Sequence, residues 1–274
     1  LHIAREIEEL DQATMNKRVQ KLLNMEKELK VYNRYSDILP YKSKHVVALP
    51  KITPDENTYI NASYVSSSIR GDDKSFIVCQ SPLQETIQDF WKMVANEGVH
   101  TIVMLCKFQA GPRIQSCKYF PTEKSVLFKE YSAVSVKEVI HRTDMELYER
   151  HLVLQLKDGT KREVVHYQWE GWPDHGVPEK TDALLYLVQQ MRERRKLGNQ
   201  PIVVHCSAGI GRSGTLVAVY NIAQILEYYI KSKITAENAK VSIFSTVRRL
   251  REQRFGMVQT MKQYELIYKT IHEL

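Results

Sequence analysis

Residues 201–230 constrain this chain more than any other stretch. Pro201-Ile202-Val203-Val204 is an apolar run of strand length, and residues 215–230 carry a helical pattern. Between them stands His205-Cys206-Ser207-Ala208-Gly209-Ile210-Gly211-Arg212-Ser213-Gly214. A buried strand, a glycine-bearing loop and a helix in that order form a unit of α/β architecture. Ala208, Gly209 and Gly211 are small enough for the backbone to curl tightly. Successive amides from Ser207 to Arg212 then aim at one point, and such a nest attracts a dianion. The loop opens onto a helix N-terminus, which adds partial positive charge.

That setting suits a nucleophile. It depresses the thiol pKa of Cys206 and favours the thiolate, the reactive form. Arg212 can grip two oxygens of a phosphoryl group through its planar fork. A buried structural cysteine at a strand end is the plainer reading of a lone Cys. It leaves the loop glycines, Arg212 and the following Ser213-Gly214 without a purpose. Thiolate, amide cradle and guanidinium together point to phosphoryl transfer onto sulfur.

Apolar runs at 75–79, 100–106, 152–156, 164–169 and 202–205 predict strands, with Asp158-Gly159 as a hairpin signal. Helical patterns follow at 86–97, 181–197, 215–230, 236–254 and 261–274. The expectation is an α/β single domain with a central, highly twisted mixed β-sheet flanked by α-helices. Residues 1–30 show two apolar stripes, Ile3, Ile7, Leu10 and then Met15, Val19, Leu22, with a break near 11–13. They predict two short helices, an N-terminal extension packed on a domain of residues 31–274. No apolar run approaches the roughly 20 residues that cross a bilayer. A first residue other than Met suggests a piece of a longer protein, whose membrane anchorage stays open. Cysteines 79, 106, 117 and 206 show no paired or metal-binding spacing, which fits a reducing, cytoplasmic compartment. The net charge of +7 favours anionic partners. Its Lys and Arg are scattered without a nucleic-acid-binding motif, so nucleic acid is not an expected partner.

The 205–214 loop resembles the Cys-x5-Arg signature of the protein tyrosine phosphatases, in its phosphotyrosine-specific form. Further segments carry the likeness in order: Asn33-Arg34-Tyr35, Tyr59-Ile60-Asn61-Ala62, Gln80-Ser81-Pro82-Leu83 and Asp89-Phe90-Trp91. Trp172-Pro173-Asp174-His175-Gly176 resembles the mobile loop that bears the general acid. Gln259-Thr260 with Gln263-Tyr264 resembles the glutamine loop. The resemblance implies that fold, no cofactor, no metal, and a monomeric catalytic domain acting on phosphotyrosine-containing proteins or peptides.

It also implies roles. Cys206 attacks phosphorus while Arg212 and the amides of Ser207, Ala208, Gly209, Ile210 and Gly211 hold the oxygens. Asp174 protonates the leaving phenolate and then serves as base. Taken alone, Asp174 reads equally well as a turn cap. Gln259 orients the hydrolytic water with Gln263 assisting, and Ser213 hydrogen-bonds the sulfur. His205, Trp172 and Pro173 support these loops. Tyr35 walls a deep cleft against the substrate ring, with Asp37 accepting peptide amides and Ile38 packing on the ring.

Several positions depart from the family pattern. Tyr32 stands where a Lys is usual, and Ser81 where a Gly is usual. Residues 109–121, Gln109-Ala110-Gly111-Pro112-Arg113-Ile114-Gln115-Ser116-Cys117-Lys118-Tyr119-Phe120-Pro121, lack the Glu that braces the signature Arg and the Lys that contacts the acid loop. Reduced turnover is therefore expected. A weakly active or inactive phosphotyrosine-binding pseudophosphatase stays open as the alternative. A dual-specificity or lipid phosphatase fits less well, given the Asn33-Arg34-Tyr35 loop.

Overall fold

Short runs rich in Val and Ile that are apolar on both faces must be covered on both faces. The computed structural model describes residues 2–21, 27–42, 45–51, 53–68, 72–122, 132–173, 176–235 and 237–274. Helix α1 (His2–Lys21) leads into strands β1 (Val46–Ala48), β2 (Tyr59–Val65) and β3 (Phe76–Cys79). Helix α2 (Ile87–Asn96), strand β4 (Thr101–Met104) and a small hairpin of β5 (Gln109–Ala110) and β6 (Arg113–Ile114) come next. Three long strands follow, β7 (Ser132–Arg142), β8 (Leu147–Leu156) and β9 (Lys161–Trp169). The chain closes with α3 (Asp182–Arg195), β10 (Ile202–His205), α4 (Gly211–Lys231), α5 (Ile243–Gln253) and α6 (Met261–His272).

Eight strands form one mixed sheet in the order β1-β2-β3-β10-β4-β9-β8-β7. Its centre is parallel: β10 runs alongside β3 and β4, and β4 alongside β9. Every residue of β3, β4 and β10 is buried. One face is covered by α3, α4, α5 and α6, the other by α2 with Tyr119 and Phe120. All four parallel strands end at the same edge of the sheet. The 205–214 loop leaves β10 there, the β5–β6 hairpin leaves β4, and residues 172–176 leave β9. The carboxyl ends of parallel strands are where α/β sheets place their ligands.

The differences from expectation have local causes. Helix α1 is continuous, not two helices: Asp11, Gln12 and Ala13 lie on its exposed side, while Ile7, Leu10 and Thr14 are buried. Residues 22–26 lie outside the described residues, and so do the side chains of Met15, Val19 and Leu22. Strand β2 escaped the apolar pattern because it buries Asn61 and Ser63, and β7 because it is a polar edge strand. Helix α5 begins at Ile243, not near 236, because the Ser242 hydroxyl caps it by accepting from the Ser245 amide at 3.1 Å. The Asp158-Gly159 turn forms as expected, with Gly159 at φ +83° and the Thr160 amide bonded to Asp158 Oδ1 at 2.8 Å.

Candidate active site

Gly209 is the pivot of the loop after β10. Its φ of +72° lies in the left-handed region, and a Cβ there would stand 1.9 Å from the Cys79 carbonyl oxygen at the end of β3. Only glycine permits that contact. The turn brings the Gly209 amide to 3.3 Å from Cys206 Sγ. Helix α4 begins two residues later, four positions earlier than its apolar pattern suggested, so Arg212 and Ser213 stand in its first turn. Arg254, buried after α5, fixes the loop from behind. It donates Nε to the Gly209 carbonyl at 2.7 Å and reaches Ala208 O, Asn61 Oδ1 and Ser63 Oγ with its other nitrogens.

Cys206 is 4% exposed, at the base of a cleft of about 600 Å³. Burial alone would push its thiol pKa up. Ser213, the Arg212 charge and the Ser213 and Gly209 amides outweigh that, and the pKa is lowered. The buried Ser213 hydroxyl has no partner at ordinary hydrogen-bond geometry, yet it is the strongest of the influences favouring the thiolate. Next door, His205 Nδ1 stands 3.0 Å from the Cys206 carbonyl. Tyr119 Oη bridges His205 Nε2 at 2.6 Å and His166 Nε2 at 2.7 Å. With Nδ1–H donated to that carbonyl, His205 Nε2 accepts from Tyr119, and His166 Nε2–H donates to it.

Both imidazoles are buried and neutral. Burial drops His205 from 6.5 to about 4, and His166 falls well below its usual range for the same reason. The folded state thus binds fewer protons than the unfolded chain below about pH 6.5. Stability is full above that value and declines as pH falls toward about 4. We expect the melting temperature to drop by several degrees between about pH 7 and about pH 5. His205→Asn should flatten part of that slope, and a pH-independent melting temperature in the parent protein would contradict it.

Arg212 is braced by two backbone carbonyls and a side-chain amide. Its Nη1 donates to Leu105 O at 3.0 Å and to Gln115 Oε1 at 3.4 Å, and its Nη2 to Pro173 O at 3.3 Å. Gln115 is buried and takes part of the place of the missing Glu. Trp172 is buried against Trp169 and donates Nε1 to Gly176 O at 3.1 Å, which pins both ends of the 172–176 loop. Asp174 and His175 lie outside the described residues.

Tyr35, Asp37 and Ile38 line the cleft with Ser207, Ala208, Gly211, Gln259 and Gln263. Gly209 and Ile210 are buried behind it. Arg34 holds the Tyr35 loop against the signature loop's neighbours, donating to Ser81 O, Pro82 O and Ile114 O. Tyr35 Oη sits 2.9 Å from Ser207 Oγ and accepts from Arg113 Nη2 at 2.5 Å. The Arg113 guanidinium also lies over the Tyr35 ring, 5.4 Å from its centre. The hairpin that lacks the usual Lys therefore brings a cation to the cleft from a different position. Gln263 spends its side-chain oxygen on the turn, accepting from the Gln259 and Thr260 amides at 2.9 and 3.3 Å. Arg113, Lys262 and Thr260 also line the cleft and were not singled out from the sequence as site residues. An isolated Arg in a polar hairpin carries no signal of where its side chain points.

A buried thiol at the base of a cleft, with backbone amides and the Arg212 guanidinium beside it at the carboxyl edge of a parallel sheet, has the form of an anion-binding site with a nucleophile at its floor. The protein-tyrosine phosphatase family model matches residues 30–273, and the chain belongs to that family. It is 37% identical over 244 residues to human receptor-type tyrosine-protein phosphatase C, covering 88% of this chain but 18% of that protein. It is 36% identical over 244 residues to the protein-tyrosine-phosphatase PTP1 of Arabidopsis thaliana, covering 87% of this chain and 68% of the relative. The catalytic domain of human protein tyrosine phosphatase non-receptor type 18 superposes with a TM-score of 0.88 at 28% identity, over 99% of this chain and 95% of that one. The same phosphatase has been solved in complex with HER2 phosphopeptides, again at a TM-score of 0.88 and 28% identity, over 99% of this chain and 92% of that one. Among the described residues no helix is long and apolar enough to cross a membrane.

Proposed function

We propose that this chain is an active phosphatase domain that hydrolyses phosphotyrosine in proteins through a phosphocysteine intermediate. The observation that carries the reading is Cys206 Sγ buried at the floor of the cleft, 3.3 Å from the Gly209 amide and sharing that cleft with Arg212. In this reading residues 31–274 are the catalytic domain and residues 1–30 an extension packed on it. The domain works as a monomer on signalling phosphoproteins, in the cytosol or at the cytoplasmic face of a membrane.

In the first step Cys206 Sγ attacks phosphorus and the bond to the tyrosyl oxygen breaks. Arg212 and the loop amides hold the three equatorial oxygens, the charge-bearing positions of a loose transition state. Asp174 gives its proton to the leaving oxygen, so tyrosine departs as a phenol. In the second step Gln259 orients a water that attacks phosphorus. The S–P bond breaks, Asp174 takes the water's proton, and inorganic phosphate leaves with the Cys206 thiolate restored. Ser213 stabilises that thiolate as it departs. Tyr35 forms the wall that makes the cleft deep, so a phosphotyrosine reaches the sulfur and a phosphoserine falls short. A binding domain without turnover has no observation in its favour, since Arg212 keeps three acceptors despite the altered hairpin.

The test is a comparison of phosphotyrosyl, phosphoseryl and phosphoinositide substrates, with Asp174→Asn as the variant. Phosphate release from the phosphotyrosyl peptide is expected to dominate. Asp174→Asn should lower its kcat by about 10²- to 10⁴-fold and abolish the high-pH limb of the profile. An aryl phosphate whose leaving group needs no proton should lose far less. Equal losses on both substrates would remove the general-acid assignment.

A further inference from the structure

Val258 holds a backbone conformation that its side chain disfavours. Its φ is +62°, in the left-handed region where a β-branched residue is an outlier. It is fully buried and directly precedes Gln259. Strain of this kind persists only where the surroundings over-determine it, and several bonds do so. The Val258 amide donates to Ile210 O at 3.1 Å. The Val258 carbonyl accepts from Arg251 Nη2 at 2.6 Å, and the Met257 carbonyl accepts from Arg251 Nε at 2.8 Å. The approach to α4 requires Gly214, where a Cβ would lie 2.4 Å from Val258 N.

The other end of Arg251 faces away from the cleft. Its Nη1 donates to the Asp11 carboxylate at 2.6 Å and to the Thr14 hydroxyl at 3.3 Å, both on α1. The Arg251 side chain is 4% exposed and that of Asp11 62%. A guanidinium is a rigid plane, so its orientation on the Met257 and Val258 carbonyls depends on what holds its far edge. Helix α1 also grips α6, the helix that starts right after Thr260: Glu6 accepts from Tyr264 and Tyr268, each at 2.8 Å. One helix outside the family-matched residues thus holds both elements flanking Gln259.

We propose that Arg251 is a positioning residue for Gln259, and that Asp11 on α1 sets Arg251. Helix α1 thereby bears on hydrolysis of the phosphocysteine and not on its formation. This rests on the assignment of Gln259 to the second step. When the Asp11 anchor is lost, Arg251 turns, Val258 relaxes, and the Gln259 side chain leaves the path of the attacking water. Cys206 and Arg212 keep their own bonds, so the first step is spared.

The experiment is a pulse–chase with a radiolabelled phosphotyrosyl peptide, quenched in acid to trap phosphocysteine. In Asp11→Asn, a surface change, decay of the phosphoenzyme is expected to slow about fivefold, as fits loss of one charged hydrogen bond acting at a distance. The rate of phosphoenzyme formation should stay unchanged. Arg251→Lys should give the same split, because one ammonium cannot span both carbonyls. Gln259→Ala should slow decay as well, and Asp11→Asn should add nothing in that background. Slow decay in Gln259→Ala with normal decay in Asp11→Asn would overturn the coupling alone. Normal decay in Gln259→Ala would overturn the Gln259 assignment and the coupling with it. Formation and decay slowing together would mark a general loss of fold and overturn it too.

Discussion

Cys206→Ser is expected to abolish phosphate release, by on the order of 10⁵-fold or more, while the protein still binds phosphotyrosyl peptide. The features that lower the Cys206 pKa are Ser213, the Arg212 charge and two amides. They stabilise a thiolate, but a serine hydroxyl starts so far above neutrality that the same influences leave it protonated. The amides and Arg212 do not depend on the sulfur for their aim, so the phosphate still has its cradle. Removing the thiolate also removes a negative charge from beneath a dianion. Peptide affinity measured calorimetrically should therefore hold or rise as turnover disappears. Turnover within tenfold of the parent protein would place the nucleophile elsewhere.

Gly209→Ala is expected to lower kcat/KM by about 10³-fold and the melting temperature by about 5–10 °C. An alanine there needs φ +72° and puts Cβ 1.9 Å from Cys79 O and 2.8 Å from Gln80 N, both backbone atoms of the neighbouring segment. Neither can step aside as a flexible side chain would. The loop must lift from β3, which breaks the Gly209 amide's bond to sulfur and Arg254's bond to the Gly209 carbonyl. The thiol loses one of the groups that lower its pKa. Its alkylation rate should consequently titrate at higher pH than in the parent protein. A variant with near-normal activity and an unshifted thiol titration would show that the loop tolerates a Cβ.

The parts of this molecule legible in its sequence are those whose chemistry is contiguous. Cys206, Arg212 and Ser213 fall within eight consecutive positions, and the strands beneath them are apolar on both faces, so composition alone marks them. Strand β2 was invisible because Asn61 and Ser63 face buried partners, among them Arg254. Arg254 and Arg251 were invisible for a related reason. In sequence, residues 248–254 look like the solvated face of a basic helix. Their roles come from carbonyls that folding brings to them, Gly209 and Ala208 for one, Met257 and Val258 for the other. Asp11 read as a helix break because a lone acidic residue gives no hint of an arginine 240 positions away. The departures in the hairpin were legible as losses, but not as replacements. Leu105 O and Gln115 steady Arg212, and Arg113 supplies a cation beside Tyr35.

Arg254 also sets an order of events during synthesis. It joins Asn61, 193 positions earlier, to the back of the signature loop, and it leaves the ribosome after Cys206. Contacts of such long range close late. A nascent chain that already contains Cys206 but not Arg254 lacks the guanidinium that holds the Gly209 and Ala208 carbonyls from behind. The Gly209 amide's place beside Cys206 Sγ is therefore backed from behind only once that arginine has been made.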